Sequence, residues 1–332
     1  MKTKILIYGA AGYMGKLFTK HAKAYNLPIV LGSRESFKTN EELRVFPLES
    51  LTKIKQQLTD IKIVVNLAGP FVNTQHLFIE ACLATHTHYL DISGEYPEFE
   101  SAYGFDFQAK QAGIMLMPGA GFGVVPTDIA AKLVVQQLPD ATHLKLAYVT
   151  VGGASRGTLK TILKDINKPG IQLVEGQAIK AMPAQSDFRF ETNSQWHRIV
   201  YNPWRGDLFT AQLSTGIGNI DTFANFPGFV ESMMKGRLLW LRDLILKHFI
   251  NFLPVGPSEK SLKKGKTIIY AEATNAHGQK ASINFEGPEA YLFTAQTLVV
   301  ITQQILANNF QSGFQTPSMY LPHFNYLIKF EK

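Results

Sequence analysis

The sequence predicts an α/β fold: a doubly wound parallel sheet with an inserted mixed α+β second domain. Three observations predict it. Short apolar runs alternate with helical stretches over the first third of the chain, without the period-2 alternation of a sheet that is solvated on one face. The first of these runs ends in a glycine-spaced turn that opens a helix. After about residue 140 the strands lengthen, turn residues become frequent and clear helices fewer.

Taken in order, Ile5-Leu6-Ile7-Tyr8 is a short strand ending in glycine, and residues 13 to 24 read as a helix with Leu17, Phe18 and Ala22 apolar. Pro28 opens a second strand, Ile29-Val30-Leu31. "IKIVVNLAG", 61 to 69, is a third, and "TQHLFIEACLAT" follows as a helix with Thr74 as its N-cap. "HYLDIS", 88 to 93, is the next strand. One helix of about a dozen residues leads to Gly113, and "GIMLMP" is one more strand. Beyond it, "HLKLAYVTVGG", "KTIIYAEATN" and "QKASINFEG" read as long strands, with "NAHG" as the turn of a hairpin between the last two. "EAYLFTAQTLVVITQQILAN", 289 to 308, is again helical. The expected division is a Rossmann-type dinucleotide-binding domain over 1–138, an inserted α+β substrate or dimerisation domain over 139–287, and a helical segment, 288–332, returning to the first domain.

The chain has 332 residues, 45% hydrophobic and 18% charged, which is ample for a real core and excludes a disordered chain. The formal charge of +7 favours anionic partners: nucleotide phosphates, acyl-carrier groups or an acidic membrane surface. No nucleic acid is expected, because no Lys/Arg run resembles a nucleic-acid arm, and "KSLKKGK", 260 to 266, reads as a solvated loop. The single cysteine, Cys82, cannot form an intrachain disulfide and fits a reducing compartment. Met1 and Lys2 lead straight into a strand, and no apolar run reaches bilayer-spanning length, so the expected location is cytoplasmic or membrane-peripheral.

"GAAGYMG" places glycines at 9, 12 and 15 between a strand and a helix. Gly9 permits the tight turn, Gly12 lets backbone approach a pyrophosphate, and Gly15 lets the helix pack on the strand. The amides of Ala11, Gly12, Tyr13, Met14 and Gly15 then face the phosphates. At the end of the second strand, "VLGSRES" has Gly32 and Ser33 where an NAD-type site places an acid, and Arg34 follows. A guanidinium pairs with a 2′-phosphate, so NADP(H) is favoured over NAD(H), unless Glu35 serves as the acid. Asn66, Ala68, Gly69 and Pro70 lie at the C-terminal edge of the third strand, where the nicotinamide-ribose side would rest. A second glycine stretch, "MPGAGFGVVPTD", presents Gly119, Gly121 and Phe122 as a floor for the nicotinamide, with a helix starting no earlier than Thr127.

"HTHYLDISGEY" is the richest polar cluster. Asp91 and Tyr96 are the candidates to protonate a substrate atom after hydride delivery; caps and loop anchors are the other reading of the same residues. His86 and His88 lack a third ligand at a metal spacing, so no metal is expected. In "SRGTLKTIL", Ser or Thr reads as a cap and Arg156 as an anion contact. The segment "GRLLWLRDLILKHFINFLP" carries a broad apolar side with Trp240, Phe249 and Phe252. Its helix over 237–252 reads first as a buried amphipathic helix or a homodimer contact. It reads second as a helix lying on a membrane or enclosing a long acyl substrate.

Seven stretches, "GAAGYMG", "NLAGPF", "HYLDISGE", "PGAGFGVVPTD", "SRGT", "GPSEKSLKKG" and "GFQTPS", occur in this order from residue 4 to about 320. Together they resemble the saccharopine dehydrogenase-like oxidoreductases, nearest to the stand-alone, trans-acting enoyl reductases. The resemblance implies NADP binding, a domain inserted before the final helix, and a hydride-transfer reaction; the expected acceptor is a carbonyl, imine or activated alkene. The apolar helix near residue 240 suggests a lipid-like or polyketide-derived small molecule as substrate. A non-catalytic NADP-binding redox sensor or membrane-associated scaffold is the competing expectation.

Overall fold

A computed structural model describes residues 2–192 and 194–330. In chain order the elements begin β1 (Lys4–Tyr8), α1 (Tyr13–Ala24), β2 (Ile29–Ser33), β3 (Leu43–Val45), α2 (Leu51–Gln57), β4 (Ile61–Asn66), α3 (Phe71–Thr85), β5 (His88–Asp91), α4 (Tyr96–Tyr103), α5 (Asp106–Ala112) and β6 (Met115–Met117). After α6 (Val125–Gln137) come β7 (Ala141–Val151), α7 (Arg156–Lys164), β8 (Gly170–Val174), β9 (Gln177–Ala181), β10 (Asp187–Thr192), β11 (Gln195–Tyr201), α8 (Asp207–Thr215), β12 (Asn219–Ala224) and α9 (Gly228–Met234). Next are α10 (Leu239–Leu244) with a π-helical turn over Ile245–Phe249, α11 (Glu259–Lys264), β13 (Lys266–Asn275) and β14 (Lys280–Pro288). The chain closes with α12 (Ala290–Leu306), β15 (Gly313–Phe314), a 3-10 stretch and β16 (Lys329–Phe330).

These elements form two compact units: residues 1–125 with 291–324, and residues 126–290 with 325–332. The first division falls at 125/126 and not near 138, because α6 is tied to the second unit: Ser214 Oγ of α8 donates to Asp128 at 2.8 Å. Residues 325–330 also belong there, because β16 pairs with β14.

The first unit is built on a seven-stranded sheet in the order β15-β6-β5-β4-β1-β2-β3, with every neighbouring pair parallel. A sheet covered on both faces needs apolar residues at consecutive positions. Ile5, Leu6 and Ile7, and Ile63, Val64 and Val65, are accordingly fully buried. The helices add Phe18 and Ala22 from α1 and Phe78, Ile79 and Cys82 from α3. Strand order reverses between β1 and β4, so the switch point of the sheet lies at their C-terminal ends.

The second unit holds a nine-stranded mixed sheet, β10-β11-β12-β7-β13-β14-β16, with β8 beside β12 and β9 beside β8. Its β7–β12 pair is parallel and the rest antiparallel. The β13–β14 hairpin turns at the expected Asn275-Ala276-His277-Gly278, where Asn275 Oδ1 accepts from the amides of His277 and Gln279.

Several local expectations are corrected. Helix α3 starts at Phe71, with Pro70 at its N-cap and no side-chain cap. Thr74 lies inside it, its hydroxyl donating to the Ala68 carbonyl at 2.9 Å. Helix α6 starts at Val125, before Thr127; Pro126 fits its first turn, where a missing N–H leaves no bond unmade. The helix before Gly113 is two, α4 and α5, separated near Gly104. The segment 237–252 is not one α-helix: Leu238 is left-handed, α10 follows, and the Ile250 amide bonds the Ile245 carbonyl across a π turn. Among the described residues no helix is long and apolar enough to cross a membrane.

Candidate functional site

The turn after β1 has the shape that its glycines require. Gly9 adopts φ +87°, and a Cβ there would come within 2.8 Å of the Leu67 backbone at the exit of β4. A Cβ on Gly15 would meet the Gly9 carbonyl oxygen at 2.3 Å and Ala10 Cα at 2.6 Å, so α1 can seat on the turn only with glycine there. Gly12 is the N-cap of α1 and supplies no side-chain cap. The first i→i−4 bond is from the Lys16 amide to the Gly12 carbonyl. The first-turn amides, including Met14 and Gly15, thus have no i−4 carbonyl within the helix, and they point where an anion is stabilised. Ala11 and Gly12 are exposed beside them. Tyr13 meets Tyr291, at the start of α12, edge to face with centroids 5.3 Å apart.

Strand β2 ends at Ser33, and the Gly32 carbonyl accepts the amides of Gly9 and Ala10. Ser33 is buried, and its hydroxyl donates to the Glu35 carbonyl. Arg34 is exposed, and among the described residues no carboxylate pairs with it. Its cation opposes the burial that pushes the nearby Tyr8 phenol up to about 12.

At the exit of β4, Asn66 is fully buried and organises the loop. Its Nδ2 donates to Thr74 and to the Tyr89 hydroxyl, and its Oδ1 accepts the Ala68 amide. Gly69 and Pro70, joined by a cis peptide, are exposed, and Ala68 is half-buried. Asn66 is thus a support, and the accessible surface at this edge belongs to 68–70.

Asp91 ends β5 fully buried with both carboxylate oxygens engaged. Oδ1 accepts from the Ser93 amide (2.9 Å), the Ser93 hydroxyl (2.7 Å) and the Gly119 amide (3.1 Å). Oδ2 accepts from Gln75 Nε2 (2.9 Å) and the Tyr89 hydroxyl (2.8 Å). A carboxylate so held is a fixed acceptor that joins β5 to the second glycine loop, so the geometry makes it a positioning group and not the expected proton donor. Tyr96 opens α4 at 7% exposure; burial, and then the charge of Glu100, raise its phenol above the ordinary value.

The second glycine loop differs from its expected role as a floor. Gly119, at φ +69°, has its Cβ direction filled by Phe99, 2.6 Å away, and by Val124. That of Gly121 is filled by Thr294 at 2.7 Å. Phe122 is buried, its amide donates to the Thr294 hydroxyl, and its ring packs on Phe293. Thr297 donates to the Ala120 carbonyl at 2.9 Å. These glycines admit helices α4 and α12; nothing flat is needed to explain them.

Four residues that the sequence reading missed shape this edge: Gln75, Phe99, Thr294 and Glu98. Thr294 had a signal: with Thr297 it sets two hydroxyls three apart in the first half of a largely apolar helix. Glu98 is 8% exposed, and its Oε2 is buried without a hydrogen-bond partner. Desolvation, then the neighbouring Glu95, hold its carboxyl well above the usual range. The histidines of the cluster are structural: His86 Nδ1 lies 2.9 Å from the Ala112 carbonyl, and buried His88 accepts the Met115 amide, its pKa depressed to about 4 by burial. Arg156 bonds the Leu253 carbonyl, and Ser155 caps α7.

A parallel sheet in the order 3-2-1-4-5-6, a glycine turn at its switch point and a second mixed-sheet unit can be compared with solved structures. A saccharopine dehydrogenase (L-Glu forming) of Saccharomyces cerevisiae superposes over 99% of both chains with a TM-score of 0.64 at 10% identity. The chain has the saccharopine dehydrogenase fold. No family model matches the sequence. In sequence it is similar to a provisionally named trans-acting enoyl reductase of Mycobacterium tuberculosis, 27% identical over 184 residues, 48% of this chain and 43% of that protein. It is also similar to a mouse saccharopine dehydrogenase-like oxidoreductase, 19% identical over 181 residues, 46% of this chain and 42% of that protein. The chain thus spans under half the length of the curated relatives it matches, and fold and sequence point to the same group, the saccharopine dehydrogenase-like oxidoreductases.

Proposed function

We propose that the chain is an NADP(H)-dependent oxidoreductase that reduces a carbonyl, imine or activated alkene on a small, lipid-like molecule. The observation that carries this reading is the pairing of an open α1 N-terminus at the switch point with an unpaired Arg34 at the end of β2. The residues fit a dinucleotide: the turn 9–15, Cβ-free at Gly9, Gly12 and Gly15, for its pyrophosphate, Arg34 for the 2′-phosphate, and half-buried Ala68 with exposed Gly69 and Pro70 for the nicotinamide-ribose side. When bound, the nicotinamide supplies the hydride. The chain supplies position and a proton. Asp91 and Asn66 hold the two loops, and Tyr96, a phenol protonated at neutral pH, is the proton donor.

Fluorescence titration with NADPH and NADH tests the reading. Loss of a charge-assisted contact is worth about 1.5–3 kcal/mol, so Arg34→Ala is expected to weaken NADPH binding by roughly ten- to a hundredfold and leave NADH unchanged. A wild-type preference for NADH, or no response to Arg34→Ala, overturns the NADP assignment. NADPH oxidation against a panel of enoyl, imine and carbonyl compounds tests turnover; tight binding with no turnover across the panel would move the chain to the sensor class.

A further inference from the structure

The segment 238–255 of the second unit is apolar on two sides. One side packs inward: Ile250 is buried, and Leu239, Leu241, Ile245, Leu246 and Leu253 lie against a core of Leu163, Ile166, Val200, Met233 and Met234. The other side is open to solvent: Trp240 is 66% exposed, Phe249 53%, Phe252 86% and Val255 58%, with Leu244 among them. The π turn adds Phe249 to this second side. In a continuous α-helix the position four beyond Leu244 is His248; the widened turn, marked by the Ile250 amide on the Ile245 carbonyl, swings Phe249 toward that line.

Cations border this stripe. Lys247 is exposed within the segment and Arg237 just before it, and Lys160 of α7 reaches Asn251, one residue before Phe252, with Lys164 one turn on. The local acids are neutralised in place: Asp243 pairs with Arg242 at 2.7 Å and Asp165 with Lys168 at 2.6 Å.

We propose that this face seats the protein on an anionic phospholipid surface, with Trp240, Phe249 and Phe252 in the headgroup boundary and the lysines on the lipid phosphates. A membrane fits better than a second copy of the chain. A two-fold contact would bring the same patch against itself and set the cationic border on its own like charges, whereas an anionic bilayer complements both the border and the apolar stripe. The segment lies on the surface and does not span it.

The test is co-sedimentation of the full chain with phosphatidylcholine vesicles, with and without phosphatidylglycerol, over a salt series. Binding is expected to phosphatidylglycerol vesicles and to weaken with salt. The double variant Trp240→Glu/Phe252→Glu and the triple variant Lys160→Glu/Lys164→Glu/Lys247→Glu are each expected to lower it at least tenfold. All five side chains point to solvent, so unchanged thermal unfolding verifies that the variants fold. Wild-type failure to bind, or equal binding by both folded variants, overturns the proposal. So does a dimer in light scattering that Phe252→Glu dissociates while vesicles remain unbound.

Discussion

Asp91 and Tyr96 lie five residues apart at the same sheet edge, and their loss should be felt in different measurements. In Asp91→Asn an amide nitrogen must replace an oxygen that now accepts from the Ser93 and Gly119 amides or from Gln75 and Tyr89. A buried group left unsatisfied costs about 1–3 kcal/mol. Asp91→Asn should therefore lower the melting temperature by several degrees and weaken NADPH binding. Tyr96→Phe should leave NADPH binding unchanged and slow turnover. A second prediction concerns Glu98. The unfolded chain releases this proton near 4.5, while the folded chain holds it to higher pH. The folded state binds more protons, so its stability falls as pH rises above 4.5, by up to about 1.4 kcal/mol per unit. Glu98→Gln, a neutral mimic, should flatten the slope of urea midpoints between about pH 5 and pH 8 and raise stability at the upper end. The phosphate-turn glycines were readable because a missing Cβ is a local requirement. The engagement of Asp91 was not, since its partners come from β5, α3 and a loop 28 residues on.

Among the elements, α12 is the one whose task the sequence concealed. Its apolar run announces a buried helix, yet Thr294 and Thr297 hold the backbone of the second glycine loop at Phe122 and Ala120. Thr294→Val keeps the shape and removes the acceptor for a buried amide. It should destabilise the protein by about 1–3 kcal/mol in chemical denaturation and raise local amide exchange around Phe122. The buried strands were legible as short apolar runs between glycines. Strand β3 and helix α2 were not: both are short, and "LRV" and "LTKIKQQ" interleave charges with few apolar residues. The π turn was also hidden, because it changes the hydrogen-bond step without changing the residue pattern; only its outcome, a second apolar side ending at Phe252, separates it from a buried helix.

At the scale of the whole molecule, the first unit is assembled from both ends of the chain, residues 1–125 and 291–324. Ten residues of α12, from Phe293 to Ile305, are buried, and β15 extends the sheet beyond β6 at Gly313 and Phe314. A chain stopped at residue 290 should therefore leave β6 as an open edge and the second glycine loop unsupported. It should be poorly soluble and lack the NADPH fluorescence response of the full chain, a fourth measurement within easy reach. The return of the C-terminal helix was foreseeable from the change of texture at residue 140 and its reversal at 289. The points of division were not, because they depend on tertiary contacts, Ser214 with Asp128 among them. The same discontinuity sets an order of events on the ribosome. Translation adds roughly 5–20 residues per second, so about 165 inserted residues separate the second glycine loop from its supporting helix by on the order of ten seconds or more. Throughout that interval the nascent first unit displays an unpaired strand and an uncovered loop, a target for chaperones. The edge of the sheet that is synthesised first is among the last parts of the protein to be finished.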